Sequence, residues 1–398
     1  MSETADTQTD LGDWTAGTTT ESITRTVRLK LETSDQKLAH VQTAIDDWQR
    51  VAGYTADLLP SFPAYRWGSR DTQLRRRVRE SVDDLEIYAH DRDAAVAKVR
   101  EAFASWHERG QPGATPAGEF GSSEYLRMST SSSSKKRRGI VSNDRGYGLR
   151  VSLLKGADDC WFHVASGSYQ EEFLRAVVDG EADLGVVELR REGDDLFAHC
   201  SVSEDVQVYV PADVQTTVGV DIGERTLWAA AVTGADGAVE TVEIESGDEF
   251  RHYREQFDRR REKLSERGDL RGVRKTRHDR ERYTEQVCHT ASRRIVDLAV
   301  EHAPSVLRLE DLTHYRETAD DPIHDWPFAQ IQEQIAYKAE AAGVPVQLVD
   351  PAHTSTTCRQ CGQHTPEYRD GDEWHCRRCG YQVHADVNAA VNLAEREP

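Results

Sequence analysis

Two sets of side chains have the types and spacing of metal ligands. Four cysteines near the end of the chain form two C-x-x-C pairs separated by 14 residues: Cys358 with Cys361, and Cys376 with Cys379. Two such knuckles supply four thiolates to one tetrahedral Zn²⁺, and a site with four protein ligands is closed to substrate. A glycine follows each pair, where the tight turn favours positive φ. The sequence therefore predicts a structural zinc ribbon.

Two disulfide bridges, or four cysteines that are simply buried, are the alternatives. The chain shows no signal peptide, and its other cysteines lack partner spacing, so we expect Cys160, Cys200 and Cys288 to be core residues. This cysteine usage indicates a reducing compartment and favours zinc. With four thiolates available, we expect the nearby histidines to lie at the surface or to face nucleic acid: His353, His364, His375 and His384.

Three carboxylates on separate segments suit a second kind of metal site. Asp221 ends a predicted buried strand, Glu310 lies at the end of another, and Asp386 opens a predicted helix. Carboxylate oxygens are the ligands that Mg²⁺ prefers. Two Mg²⁺ or Mn²⁺ ions about 3.5–4 Å apart can activate a water and stabilise the leaving oxygen of a phosphodiester. The alternative is that each acid is only solvated, as acids at strand ends commonly are.

The length of 398 residues indicates two or three domains. Because the sequence contains no apolar run of transmembrane length, we expect a soluble, cytoplasmic protein. Its 70 acidic and 50 basic residues give a net charge of −20, and 41 of the basic residues are arginine. A nucleic-acid enzyme is normally basic. However, an excess of acidic residues, with arginine in place of lysine, suits a protein that must stay soluble in concentrated salt. At about 1 M salt the Debye length is only about 3 Å, so repulsion between the surface acids is screened. We therefore expect a halophilic protein.

Basic residues concentrate in residues 251–282, where 13 of them face 7 acidic ones. The pattern predicts two helices with a break near Gly268–Gly272. We expect phosphate contacts here; the alternative is a solvated helix face with ion pairs between neighbouring turns. A second cluster, residues 135–138, is either a loop that touches a nucleic-acid backbone or a solubilising loop. The nucleic-acid-binding candidates of the first cluster are Arg259, Arg260, Arg261, Arg271, Arg274, Lys275 and Arg277.

The chain changes character along its length. Residues 1–20 are polar and predict a disordered tail. Alternation from Thr24 to Leu31 predicts a strand, helical periodicity follows over residues 35–110, and short β-like segments extend from about 120 to 210. From residue 214 onward the pattern is α/β. The sequence thus predicts a multidomain fold, with a β module that contains a helical insertion and a C-terminal α/β domain that contains the ribbon.

Several motifs, in this order, resemble the TnpB (OrfB) proteins of insertion sequences, relatives of the type V CRISPR effector nucleases. They are Gly219-Val220-Asp221-Ile222-Gly223, Leu309-Glu310-Asp311-Leu312, Thr354-Ser355-Thr356-Thr357-Cys358 and Asp386-Val387-Asn388-Ala389-Ala390-Val391-Asn392. The resemblance implies a RuvC-like nuclease domain of RNase H-like fold at residues 213–350 and 383–398, interrupted by the zinc ribbon at 351–382. It also implies a β-barrel wedge module at residues 21–33 and 118–212, with a helical recognition insertion at 34–117.

The function that this resemblance implies is RNA-guided cutting of DNA. A guide RNA from the end of the element would direct cleavage of double-stranded DNA beside a short target-adjacent motif. All three acids stand where the family has its catalytic residues, and Asn388 is expected to support the site. The chain departs from the family in its acidic surface, its N-terminal tail and its short end after Asn392.

Three rival functions are weighed against this one. The Gly219–Gly223 segment also resembles the first phosphate loop of actin-like ATPases, but no second phosphate loop follows, and that family does not explain a zinc ribbon. A non-cutting RNA-guided repressor would be expected to lose an acid, and this chain keeps all three. A transposase with a tyrosine nucleophile would need a His-hydrophobe-His metal pair, which does not occur in the sequence.

Overall fold

The computed structural model divides the chain into two compact units, residues 22–205 and residues 1–21 with 206–398. The residues it describes are 17–63, 67, 72–110, 114–120, 124–129, 136–312, 327–365 and 368–397. None of the described helices is long and apolar enough to cross a membrane. Most of the predicted disordered tail lies outside the described residues.

The tail prediction extends too far at its C-terminal end, because strand β1 already begins at Thr18. The Thr18 hydroxyl donates to Gln207 Oε1 at 3.2 Å, and Gln207 Nε2 donates to the Thr20 hydroxyl at 2.6 Å. These polar side chains form hydrogen bonds with one another between strands. A polar composition alone does not show this pairing, so it indicates disorder instead. Residues 18–20 are therefore strand residues.

The first unit is built on a seven-stranded sheet in the order β2-β6-β7-β1-β5-β4-β3. Strand pairs with assigned register are antiparallel, for example β1 with β5 and β6 with β7. Inward residues alternate with outward ones, as a sheet with one buried face requires. The strands are β1 Thr18–Glu32, β2 Tyr125–Arg127, β3 Arg138–Asn143, β4 Gly146–Val151, β5 Cys160–Ala165, β6 Ala182–Glu192 and β7 Asp195–Tyr209.

Helices fill the interval between β1 and β2, as the periodicity predicts, and pack on the same core as the sheet. Trp48 of α1 and Phe103 of α3 are almost fully buried in this core. The helices of this unit are α1 Asp35–Leu58, α2 Thr72–Ser81, α3 Ala89–Glu108, α4 Ala117–Phe120 and α5 Ser168–Asp179. Closure of the sheet into a wedge barrel stays a prediction.

The second unit contains a five-stranded mixed sheet in the order β10-β9-β8-β11-β12. Strand β9 runs antiparallel to both β8 and β10, whereas β8, β11 and β12 are parallel. The strands are β8 Thr216–Asp221, β9 Thr226–Thr233, β10 Val239–Ser246, β11 Ser305–Glu310 and β12 Val346–Val349. The carboxyl ends of β8 and β11 therefore lie side by side.

Helices cover both faces of this sheet, which explains why every residue of β9 is buried. On one face α7 and α8 pack against Val218 and Val220 of β8 and Leu307 and Leu309 of β11. On the other face α9 packs against Ala229 and Ala231 of β9. The helices are α6 Asp248–Glu266, α7 Leu270–Glu301, α8 Phe328–Ala341 and α9 Ala385–Glu395. The predicted helix break falls at residues 267–269.

A small three-stranded sheet precedes α9 and belongs to the ribbon. Its strands are β13 Arg369–Asp370, β14 Glu373–His375 and β15 Gln382–His384. Trp374 is 1 % exposed and shares a small core with Cys358 and Cys376. Ala385 completes this core, and Tyr368, Tyr381 and Val383 pack against it; a core of this size needs a metal for stability.

Candidate metal centres

The three predicted acids lie on the face of the sheet that α9 covers, and the charges of Glu310 and Asp386 both act on Asp221. Side chains alternate along a strand, so Asp221 shares its face with Gly219 while Val218 and Val220 face α7. Glu310 likewise shares its face with Arg308, whose guanidinium donates to the α9 carbonyl of Ala394 at 2.6 Å. Asp386 lies in the first turn of α9 itself. Two adjacent parallel strands and one helix thus place the three carboxylates on the same face of the sheet.

Burial and mutual repulsion both act on this cluster. Asp221 is 8 % exposed and Asp386 is 5 % exposed. Burial, followed by the nearby charges of Glu310 and Asp386, raises the pKa of Asp221 well above its usual range, and Arg369 partly opposes the shift. Burial also raises the pKa of Glu310, against a hydrogen bond from Thr354. Three carboxylates on one face, with one guanidinium beside Asp386 and near Asp221, have the chemistry of a divalent-cation site.

The ribbon supplies the cation of this cluster. Arg369 of β13 donates from Nη2 to Asp386 Oδ1 at 2.7 Å, with the carboxylate side chain 7 % exposed. His384 lies on the other side, with Nδ1 4.0 Å from Asp386 Oδ2. Arg369 therefore orients the Asp386 carboxylate, whereas His384 Nδ1 accepts a hydrogen bond from the Asp386 backbone amide at 3.3 Å.

Glu310 is held by a different loop. The Thr354 hydroxyl donates to Glu310 Oε1 at 3.1 Å, and Gln332 Nε2 donates to the Glu310 carbonyl at 2.9 Å. Thr354 belongs to the short turn Thr354–Thr356 that leads into the first cysteine pair. The same lead-in therefore serves the ribbon and the acidic cluster.

Asn388 contacts the ribbon backbone. Its side chain donates to the Thr357 carbonyl at 2.7 Å and accepts from the Arg359 amide at 3.1 Å. Asn392, one turn later, donates to the carbonyls of Thr354 and Thr357 at 2.7 and 2.8 Å. Any support that Asn388 gives to the acids therefore acts through this loop. That it supports the site stays a prediction.

Close packing of α9 depends on Gly219. A Cβ at this position would lie 2.0 Å from the Ala390 carbonyl oxygen and 2.5 Å from the Ala394 amide nitrogen. Only a residue without a side chain lets the helix backbone approach β8 this closely. The glycine two residues before Asp221 thus sets the distance between Asp221 and the helix that carries Asp386.

The four predicted zinc ligands come together. The Sγ atoms of Cys358, Cys361, Cys376 and Cys379 all lie within 4.8 Å of one another. The closest pairs are 3.7 and 3.8 Å apart, well beyond a disulfide bond of about 2.05 Å. Each knuckle turn is closed by a glycine amide that donates to the first cysteine, and both glycines have positive φ. The geometry fits one tetrahedral Zn²⁺.

One thiol of the ribbon has a pKa below its ordinary value. Burial raises the pKa of Cys376, but backbone amides of Cys379 and Arg378 donate to its sulfur and bring the pKa down to about 7.

The three other cysteines, Cys160, Cys200 and Cys288, are buried, which confirms them as core residues.

The seven basic candidates on α6 and α7 are all exposed. Three of them have carboxylate partners: Arg259 with Glu255, Arg261 with Asp258, and Arg277 with Glu281. In the described part of the chain, no carboxylate lies within 4 Å of the other four, Arg260, Arg271, Arg274 and Lys275. The stretch is therefore partly an ion-paired helix surface and partly available to phosphates.

A cleft of about 450 Å³ adjoins the acidic cluster at His384. Arg225 and Arg251 line it together with Asp248 and Asp372. Arg251 is fixed by Asp248 and by the Glu224 carbonyl, whereas Arg225 only approaches Asp372 at 3.7 Å and its side chain is 65 % exposed. Arg225 is thus the more available cation near the carboxylates.

Comparison with known proteins connects the four cysteines and Asp386 to one family model. Residues 328–393, which include the ribbon and Asp386, match the family model described as "Cas12f1-like, TNB domain". The chain is 31 % identical over 197 residues to a CRISPR-associated endodeoxyribonuclease Cas12f1 of Sulfoacidibacillus thermotolerans, covering 46 % of each protein. It is 23 % identical over 242 residues to a TnpB-like protein of Methanocaldococcus jannaschii, covering 57 % of this chain and 83 % of the relative. The resemblance to TnpB and Cas12f proteins is confirmed.

The fold is also similar to that of a Cas12f chain. In the cryo-EM structure of a Cas12f1–sgRNA–target DNA complex, one chain aligns over 96 % of this chain with a TM-score of 0.64, at 14 % identity. At that identity the match describes the fold alone. The chain spans about half the length of two Cas12f1 relatives that it matches.

Two residues around the acidic cluster were not predicted from the sequence. Arg369 lies between the cysteine pairs among several arginines, and nothing in its spacing distinguishes it. Thr354 lies in the motif Thr354–Cys358, but the pattern gives no indication that its hydroxyl reaches Glu310. Both become visible only when the ribbon is folded against α9 and β11.

Proposed function

We propose that this chain is an RNA-guided DNA endonuclease of the TnpB type, encoded by an insertion sequence. The observation that carries the proposal is the placement of Asp221, Glu310 and Asp386 on one face of the sheet, with Arg369 paired to Asp386 and opposing the pKa shift of Asp221. The relatives named endodeoxyribonucleases support the reaction class. An actin-like ATPase or a repressor that only binds does not require three acids in this arrangement.

The three carboxylates would hold two Mg²⁺ or Mn²⁺ ions, which supply an activated water and stabilise the leaving oxygen. Water adds to the phosphorus, the bond to the 3′ oxygen breaks, and the products carry a 5′-phosphate and a 3′-hydroxyl. Asp221 and Glu310 would bind the ions from the two neighbouring strands β8 and β11, and Asp386 would bind them from α9. Arg369 holds Asp386 in place and lowers the charge repulsion on Asp221.

The domain boundaries predicted from the resemblance belong to the same proposal. Strand order β10-β9-β8-β11-β12 with β9 antiparallel supports a RuvC-like domain of RNase H-like fold at 213–350 and 383–398. The thiol cluster supports a structural zinc ribbon at 351–382. The seven-stranded sheet and its inserted helices support a wedge module with a recognition insertion.

The proposed partners are a guide RNA from the element end and double-stranded target DNA. Base pairing with the guide would choose the target, and the protein would contact backbones. Arg260, Arg271, Arg274 and Lys275 are available for phosphates, and Arg225 in the cleft beside His384 is available to the strand that enters the site. The acidic surface supports function in concentrated salt. Because salt weakens contacts between basic side chains and phosphates, the basic side chains that make them must be clustered.

The experiment is to purify the protein in high salt from cells that carry its native locus and to sequence the RNA bound to it. A discrete RNA that ends at the element boundary is expected, and cells without the flanking element end serve as the control. A zinc-loaded, folded protein without enriched RNA would contradict RNA guidance and favour an unguided nuclease.

A further inference from the structure

Glu310 is the member of the acidic cluster whose carboxylate has no basic partner among the described residues. Among the described residues, the side chain that hydrogen bonds to this carboxylate is that of Thr354, with Oγ1 3.1 Å from Glu310 Oε1. Thr354 is 1 % exposed, so this bond is shielded from water. The same hydroxyl lies 3.0 Å from the Pro351 carbonyl and has one proton to share between the two acceptors. Thr354 thus engages one carboxylate oxygen of Glu310 and leaves the other free.

The turn that carries Thr354 is fixed by α9. Asn392 Nδ2 lies 2.7 Å from the Thr354 carbonyl and 2.8 Å from the Thr357 carbonyl, and Asn388 donates to the Thr357 carbonyl from the preceding turn. Helix α9 also carries Asp386. Helix α9 therefore carries Asp386 directly, and it contacts Glu310 indirectly, through the hydrogen bonds from Asn392 to Thr354 and from Thr354 to Glu310.

We propose that Thr354 is a positioning residue for Glu310, and that Asn392 positions Thr354, so that the metal-binding carboxylates on β11 and α9 keep a fixed separation. The inference rests on the proposed nuclease function. Its physical basis is that partners of metal ligands orient those ligands, and their loss typically lowers metal affinity about 10- to 100-fold. The free oxygen of Glu310 would face the cation while the Thr354 hydroxyl restrains the other.

The chain offers a matched control in the same turn. Thr356 also donates to the carbonyl three residues earlier, that of His353, at 3.4 Å, but its hydroxyl faces His364 and not the acidic cluster. Thr354→Val and Thr356→Val therefore each remove one hydroxyl and one turn bond, and only the first releases Glu310. Thr354→Ser keeps the hydroxyl that the proposal requires.

The test measures Mn²⁺ binding to the zinc-loaded, RNA-bound protein by calorimetric titration, and the Mn²⁺ dependence of DNA cleavage. We expect Thr354→Val to raise the Mn²⁺ dissociation constant about tenfold or more, while Thr354→Ser stays within about threefold of wild type. Thr356→Val should bind Mn²⁺ as wild type does. DNA affinity in Ca²⁺ should be unchanged in all three, which separates positioning of the metal site from loss of substrate binding.

Wild-type Mn²⁺ affinity in Thr354→Val would overturn the inference, as would equal losses in Thr354→Val and Thr356→Val. If Thr354→Val does not fold, Asn392→Ala decides, because it must weaken Mn²⁺ binding through the released turn. Asp221→Ala separates the two proposals. If it retains Mn²⁺ binding and cleavage, the nuclease site itself is wrong. If it loses both while Thr354→Val and Asn392→Ala match wild type, only the positioning role is wrong.

Discussion

Replacing Gly219 by alanine would force the acidic cluster apart without touching any carboxylate. The added Cβ would lie 2.0 Å from the Ala390 carbonyl oxygen, 2.5 Å from the Ala394 amide nitrogen and 2.8 Å from the Ala394 Cβ. Contacts of this kind are essentially never shorter than 3.0 Å, so the backbones must separate by about 1 Å. Two of the three obstructing atoms are backbone atoms, which cannot rotate away.

The displacement has consequences for both stability and metal binding. Inserting one carbon into a packed interior costs about 1–3 kcal/mol, equivalent to a fall of roughly 2–12 °C in the melting temperature of a unit of this size. Because α9 carries Asp386, the helix shift also moves that carboxylate relative to Asp221. A misplacement of about 1 Å can lower a rate about 100-fold, so cleavage should fall by more than the loss of folded protein explains.

The assay compares melting temperature and cleavage rate of Gly219→Ala with those of a second alanine variant. Gly53, in the middle of α1, has no atom within 4 Å of its added Cβ, so Gly53→Ala should be neutral or stabilising by up to about 1 kcal/mol. Wild-type stability together with wild-type cleavage in Gly219→Ala would refute the argument that α9 packs directly on β8 at this glycine.

Four further outcomes are expected. Arg369→Gln should shift the acid limb of the pH–rate profile to higher pH, because loss of the guanidinium lets the pKa of Asp221 rise further; an unchanged profile would contradict this. Cys361→Ser should lose zinc, measured by elemental analysis, and should destabilise the ribbon; full zinc content and unchanged melting would count against the site. Arg271→Ala should lower the slope of log affinity for nucleic acid against log salt by about one, whereas the ion-paired Arg277→Ala should lower it less; equal effects would argue against the distinction. Melting temperature should rise from low to molar KCl, since salt screens a net charge of −20, and a fall would oppose the halophilic prediction.

Much of the candidate site was predictable because its signals are local. C-x-x-C pairs and acids at strand ends are visible in the sequence, and two neighbouring parallel strands must end at one edge. That β8 and β11 are such neighbours follows from the structure alone. The contribution of α9 was less predictable, since it depends on how closely Gly219 allows the helix to approach.

Other features depend on partners far away along the chain. The basic cluster at residues 135–138 was predicted to be a loop, yet Arg137 pairs with the buried Asp91 at 2.7 Å and Arg138 is 4 % exposed in β3. A run of cations indicates a surface unless its acidic partner is known, and Asp91 is more than forty residues away. Thr354 was missed for the same reason, since Glu310 lies more than forty residues before it in the chain.

Cleavage of a guide-matched plasmid by the purified ribonucleoprotein in Mg²⁺ tests the central claim most directly. The account predicts that wild type cuts, that chelation of the metal stops cutting, and that Asp221→Ala retains its RNA and does not cut. Cutting by Asp221→Ala at the wild-type rate would contradict the assignment of the three carboxylates as the active site.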